Sequence, residues 1–185
     1  MDKTNLNIIL VGWRGSGKDT FADYLVKHYN YKRYAFADAV KEYSANLYDI
    51  PRHLFDDPLK KNQKYAFNKS PRDICIHVGE MAKKINENIW VDKVFHSING
   101  SSSSSSSGGG NVISDCRFPV ELNRMKMLEN SVSVWINRFE EIPDECINEP
   151  TENSLSQSDC DLTVVNKGTM YDFYCNIEYF LDNFN

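Results

Sequence analysis

The sequence predicts an α/β fold of three layers, with helices on both faces of a five-stranded parallel sheet. Three observations predict it. Short apolar runs alternate with amphipathic helical stretches along nearly the whole chain. The first run, residues 6–11, is apolar apart from Asn7, as a strand covered on both faces should be. It leads at once into Gly12-Trp13-Arg14-Gly15-Ser16-Gly17-Lys18-Asp19-Thr20, a glycine-rich turn that opens a helix.

The elements follow in order. The first helix, residues 19–29, places Ala22, Leu25, Val26 and Tyr29 on one face. A second strand is expected over 31–37. Asp38 then reads either as the N-cap of a helix over 39–48 or as a group near substrate at a strand's end. That helix presents Val40, Tyr43, Ser44 and Leu47, and Pro51 closes it. Residues 52–69 are polar, with Lys60, Lys61 and Lys64 close together, either a solvated face or a charged flap. Ser70-Pro71-Arg72-Asp73 is a helix start, with the serine as cap, proline in the first turn and an acid at the third position. Ile74, Val78, Met81, Ala82 and Ile85 form its expected buried stripe. Arg72 beside a helix N-terminus reads as an anion ligand or as a surface arginine.

Residues 88–98 are expected to form a short apolar helix or the continuation of the preceding one. A low-complexity stretch, 99–110, then reads Asn-Gly followed by serines and glycines. It reads as a flexible insertion within one domain spanning 1–185. A third strand over 111–115 runs into Cys116-Arg117-Phe118-Pro119, a helix over 120–130 follows, and a fourth strand over 131–136 ends just before Arg138. Residues 140–161 are acidic and irregular; loops of this length are functional or disordered. A fifth strand over 162–165, a turn at Asn166-Lys167-Gly168 and a helix over 170–184 complete the chain. Parallel strands with helical crossovers bring their C-terminal ends to one edge. Residues 12–20, Asp38, Asp115, Arg117 and Arg138 are expected to converge there.

Composition narrows the function. The 185 residues carry a net charge of −5 and no basic stripe, which argues against tight nucleic-acid binding. The five cysteines are scattered with no C-x-x-C pair, which suggests reduced thiols rather than a disulfide scaffold or zinc site. With no long apolar span and no signal peptide, a soluble cytoplasmic protein off the membrane is expected. The four histidines fall away from the strand ends and offer no general base.

The spacing Gly12-x-x-x-x-Gly17-Lys18 is that of a phosphate-binding P-loop, although Asp19 stands where Ser or Thr is common and the hydroxyl comes at Thr20. Glycines let successive backbone N–H groups face one anion, the helix start adds positive dipole, and Lys18 adds a full charge. Several arginines suit a second, phosphate-bearing acceptor. Thr20 and Asp115 are candidates to help hold Mg²⁺, Asp115 through water.

The pairing of Gly12-x-x-Gly15-x-Gly17-Lys18-Asp19-Thr20 with Ser114-Asp115-Cys116-Arg117-Phe118-Pro119-x-Glu121 resembles the deoxynucleoside monophosphate kinases of phages and large DNA viruses. Phe36-Ala37-Asp38-x-x-Lys41-Glu42, Pro71-Arg72-Asp73 with Gly79 and Trp90-Val91, Thr151-Glu152-x-x-Leu155, and Asn166-x-Gly168-Thr169 extend the likeness over nearly everything but the insertion. The resemblance implies a P-loop NTPase of nucleoside monophosphate kinase type that uses ATP and Mg²⁺ to convert a dNMP into a dNDP. It implies ATP contacts from Gly12, Arg14, Gly15, Ser16, Gly17, Lys18, Asp19, Thr20, Arg138, Asn166 and Gly168. It puts Asp38, Lys41, Arg72, Arg117 and Glu152 on the acceptor side, with Lys18, Arg117, Arg138 and Asp115 catalytic. The partners it implies are small nucleotides, a homodimer is compatible with it, and a viral source would place the protein in host cytoplasm. The chain departs from the pattern in being short and in having Arg138 as its sole arginine after the fourth strand. A phosphomevalonate or dephospho-coenzyme A kinase, a nucleotide-dependent switch and a non-catalytic binding module are the competing readings.

Overall fold

The computed structural model of the protein describes residues 6–101 and 109–183. The linker reading of the stretch 102–108 and the expectation for Phe184 lie outside them. The described chain divides into two compact units, 1–35 with 95–185 and 36–94, the division falling within one helix.

The first unit holds the sheet. Its strands are β1 (Asn7–Val11), β2 (Lys32–Tyr34), β3 (Asn111–Ile113), β4 (Ser131–Asn137) and β5 (Leu162–Val165). They lie in the order β2-β3-β1-β4-β5, all parallel, with Ile8 opposite Val112 and Val132, and Val134 opposite Leu162. The five-stranded parallel expectation holds. Its helices include α1 (Lys18–Tyr29), α5 (Pro119–Met125), α6 (Pro150–Asn153) and α7 (Met170–Asn183). Ile8, Leu10, Val134 and Ile136 of the sheet pack with Phe21 and Leu25 of α1 and with Phe173, Ile177 and Leu181 of α7. Phe21 meets Phe173 and Phe180 edge to face, with centroids 6.2 and 5.9 Å apart. These contacts fix the start of α1, and with it the turn that precedes it.

The end of the low-complexity stretch is not linker. Gly109 N–H donates to Asn30 O (3.1 Å), Gly110 O accepts from Lys32 N (2.9 Å), and Asn111 N donates to Leu6 O (3.0 Å). A Cβ on Gly110 would stand 2.0 Å from Leu6 O, and one on Gly109 2.1 Å from Tyr29 O. The glycines are needed because backbone meets backbone there.

The second unit comprises α2 (Phe36–Tyr48), a 3-10 turn (Arg52–Phe55), α3 (Pro71–Ile85) and the start of α4 (Ile89–Ser101). Its core is Ala45, Ile50, Leu54, Phe55, Ile74, Val78 and Trp90. Ser70 and Asp73 form the reciprocal capping box at the start of α3. Three expectations change here. The helix begins at Phe36, so Asp38 stands inside its first turn and is not its cap. Tyr43 and Leu47 are exposed, and Ser44 and Ala45 carry the buried face of α2. Met81 and Ile85 are exposed too, because periodicity names a helix face without saying how far along it a neighbour reaches. Among the described residues no helix is long and apolar enough to cross a membrane.

Candidate functional site

β1 connects across β3 to β2, whereas β3 connects the other way, across β1 to β4. A crevice therefore opens beyond the C-terminal end of β1. The turn 12–17 occupies that place. Gly12, Gly15 and Gly17 all have positive φ, at 147°, 74° and 108°. Gly17 is the N-cap of α1 in the left-handed region, and no side chain caps the helix. A Cβ on Gly17 would lie 2.4 Å from Asn166 Nδ2, so glycine is required twice over, by conformation and by space.

Lys18 is buried, 7 % exposed. Its ammonium donates to Gly12 O and, at 2.9 Å, to Trp13 O, curling back over its own loop. Burial and then the Arg117 charge hold its pKa down, to about 8, while Glu152, Asp19 and Asp115 pull the other way. A cation this confined is matched to an incoming anion. Ser16 is buried as well, and among the described residues its hydroxyl has no hydrogen-bond partner. An uncapped helix start, a confined ammonium and an orphan hydroxyl together fit a phosphate chain.

The structure brings most of the expected residues of the first unit to this loop. Arg138 donates to Gly15 O (2.9 Å) and Asn166 Nδ2 to Ser16 O (2.7 Å), so both brace the turn. Gly168 has φ 114° in the turn before α7, where Thr169 and Asp172 cap the helix. Thr20 lies half-buried in the first turn of α1. Asp115 follows β3 and lies within electrostatic reach of Lys18. Arg117 is presented by Glu121, whose carboxylate accepts from Arg117 N (2.7 Å) and Phe118 N (3.0 Å). Glu121 therefore shapes the turn that carries the arginine.

Glu152 is buried on α6, with one carboxylate oxygen accepting from Arg14 N (2.6 Å) and the other paired with the Arg117 guanidinium. It links the loop to Arg117. Asp19 is turned to Arg33, which also pairs with Asp23 (2.8 Å) and donates from Nε to Ser114 Oγ (3.0 Å). Arg33 escaped the sequence reading, although Asp19 and Asp23, at i and i+4, put two carboxylates on one helix face. Also missed was a cleft of about 290 Å³ beside the loop, lined by Trp13, Trp135 and Phe139 among others.

Asp38, Lys41 and Arg72 belong to the second unit. Lys41 binds Asp38 (3.2 Å) and Asp56 (2.9 Å), and Arg52 pairs with the same two carboxylates. The Arg72 side chain is exposed. Among the described residues no group of three or more His, Cys, Asp or Glu is placed to hold a metal by itself.

No protein-family model matches the chain, and no curated protein matches it. Solved structures do. The chain is similar to TT1252 from Thermus thermophilus, at 14 % identity over 98 % of this chain and 99 % of that one, with a TM-score of 0.58. It is similar to a sugar kinase from a Janibacter species, at 12 % identity over 96 % and 93 %, with a TM-score of 0.50. A dephospho-CoA kinase from Campylobacter jejuni aligns at 16 % identity over 98 % of both chains, with a TM-score of 0.49. The chain has the P-loop NTPase fold. The buried Lys18 and the Ser16 hydroxyl lie in or just after its turn between β1 and α1.

Proposed function

We propose that the protein is a P-loop kinase that transfers the γ-phosphoryl group of ATP to a deoxynucleoside monophosphate. One observation carries the reading: Glu152 ties Arg117 to the turn that holds the buried Lys18, through Arg14 N. A donor phosphate on Lys18 and an acceptor phosphate on Arg117 would each meet a cation there. On this reading an acceptor phosphate oxygen attacks the γ-phosphorus, its bond to the β-γ bridging oxygen breaks, and dNDP and ADP leave. The acceptor is largely dianionic at neutral pH, its second pKa being about 6, so no general base is needed. Lys18 follows the transferring group, Arg138 neutralises charge from the Gly15 side, and Arg117 orients the acceptor phosphate. Thr20 and Asp115 are the residues that would hold Mg²⁺, which would neutralise the donor phosphates.

The test is ADP release from ATP and Mg²⁺ with a panel of dNMPs, phosphomevalonate and dephospho-CoA. Turnover confined to dNMPs is the expected result. Turnover confined to either other acceptor would move the substrate, and turnover with none would leave a binding module.

A further inference from the structure

Phosphate binding does not account for the cleft beside the loop. Trp13, Trp135 and Phe139 line it, with Asn137, Gln157 and Glu152 as polar groups. The two indoles meet edge to face with centroids 5.5 Å apart. Trp135 is buried, while Trp13 and Phe139 are half-buried and keep ring surface available. No lysine or arginine lines the cleft. An anion entering it would find no charge partner. A flat heterocycle would find ring faces to stack on, and carboxamides that both donate and accept along its edge. At about 290 Å³ the space sits at the lower end of small-molecule sites, which run on the order of 300–1,000 Å³. That suits one ring system, not a whole nucleotide.

Glu152 joins this cleft to the phosphate chemistry. It lines the cleft, yet its oxygens are committed to Arg14 N and to Arg117. A molecule with its ring in the cleft and an anion reaching past Glu152 meets the Arg117 guanidinium. We infer that the cleft receives the heterocyclic base of the acceptor nucleoside monophosphate, with its phosphate on Arg117. The word acceptor rests on the kinase reading; the ring-binding cleft rests on its own lining. The donor base is excluded from this assignment, so donor affinity is the internal control.

Two independent measurements test it on the full-length protein. Tryptophan fluorescence of a Trp90→Phe variant is titrated with dNMPs, with the parent deoxynucleosides and with inorganic phosphate, so that the remaining Trp13 and Trp135 report on the cleft. Acceptor and donor KM values are then measured for Phe139→Ala and Gln157→Ala, after circular dichroism and melting curves have shown that each variant is folded. With inorganic phosphate already saturating, nucleosides and monophosphates should still change the emission; no further change under those conditions would overturn the cleft assignment. Phe139→Ala should weaken monophosphate binding about tenfold, the scale of one lost base–aromatic stack, and Gln157→Ala should raise acceptor KM with donor KM within about twofold of wild type. Nucleoside binding without turnover of any acceptor would sink the kinase reading and leave the cleft standing. Turnover of dNMPs with acceptor KM unchanged in both variants, or with donor KM raised instead, would overturn the cleft assignment and leave the kinase reading intact.

Discussion

Replacing Lys18 by methionine should make the ligand-free protein more stable while removing its activity. Lys18 is 7 % exposed, and among the described residues its ammonium is bonded to two carbonyls of its own loop. Its pKa falls from 10.5 to about 8, first through burial and then through Arg117. Each pKa unit corresponds to about 1.4 kcal/mol, so keeping Lys18 charged in the folded state costs about 3 kcal/mol below pH 8. The sign follows from the direction. The folded pKa lies below the unfolded one, so between about pH 8 and 10.5 the unfolded chain binds more protons. Stability therefore rises with pH through that window, and the full penalty is present below it. Methionine fills similar space without charge, but the two carbonyl contacts are lost. A net gain of about 2 kcal/mol at pH 7 is expected once those are subtracted. For a chain of this size that raises Tm by about 4–8 °C. Urea unfolding of both proteins without nucleotide, at pH 7, 8.5 and 10, measures the difference, and groups common to both cancel. The advantage of the variant should shrink steadily as pH rises. Turnover should drop by about 10²–10³, as for loss of one preorganised charge-stabilising group. A variant no more stable than wild type at pH 7, or an advantage that does not narrow with pH, would refute the reasoning that Lys18 is held under strain for an anion.

Glu152→Gln keeps the acceptor for Arg14 N but releases Arg117. Because Arg117 is about a third exposed, the loss of stability should be modest, about 1–2 kcal/mol, while acceptor KM or kcat worsens and donor KM holds. Steady-state kinetics and urea unfolding read the two effects separately, and an unchanged kcat/KM for acceptor would remove Glu152 from the site. Gly17→Ala places a Cβ against Asn166 Nδ2 at a residue with φ 108°. It should cost about 1–3 kcal/mol for the strained backbone alone and should abolish nucleotide binding; a melting curve like wild type with intact ATP affinity would show the turn to be more pliable than described. Gly110→Ala should destabilise strongly, since the new methyl would press on Leu6 O, whereas shortening 102–108 and sparing Gly109 and Gly110 should leave kcat unchanged; equal melting temperatures for Gly110→Ala and wild type would count against the close approach.

Much of this protein is decided locally and so is written in its sequence. The spacing of Gly12, Gly15, Gly17 and Lys18 after an apolar run specifies a strand, a turn and a helix start, because positive φ and an uncapped amide row are properties of neighbouring residues. The same holds for the Ser70–Asp73 capping box and the alternation that yields the parallel sheet. The partnerships of the site are decided elsewhere. Glu152 meets Arg14 N and Arg117 across 138 and 35 residues, and Arg33 finds Asp19, Asp23 and Ser114 only once β2 lies beside β3. Exposure of Met81 and Ile85, and the need for glycine at 109 and 110, likewise depend on how near another segment comes. Periodicity and motif spacing report what a stretch of chain can do by itself. Which buried carboxylate an arginine leans on, and which rings enclose a cleft, are set by packing among residues far apart in sequence, and only the folded chain brings them together.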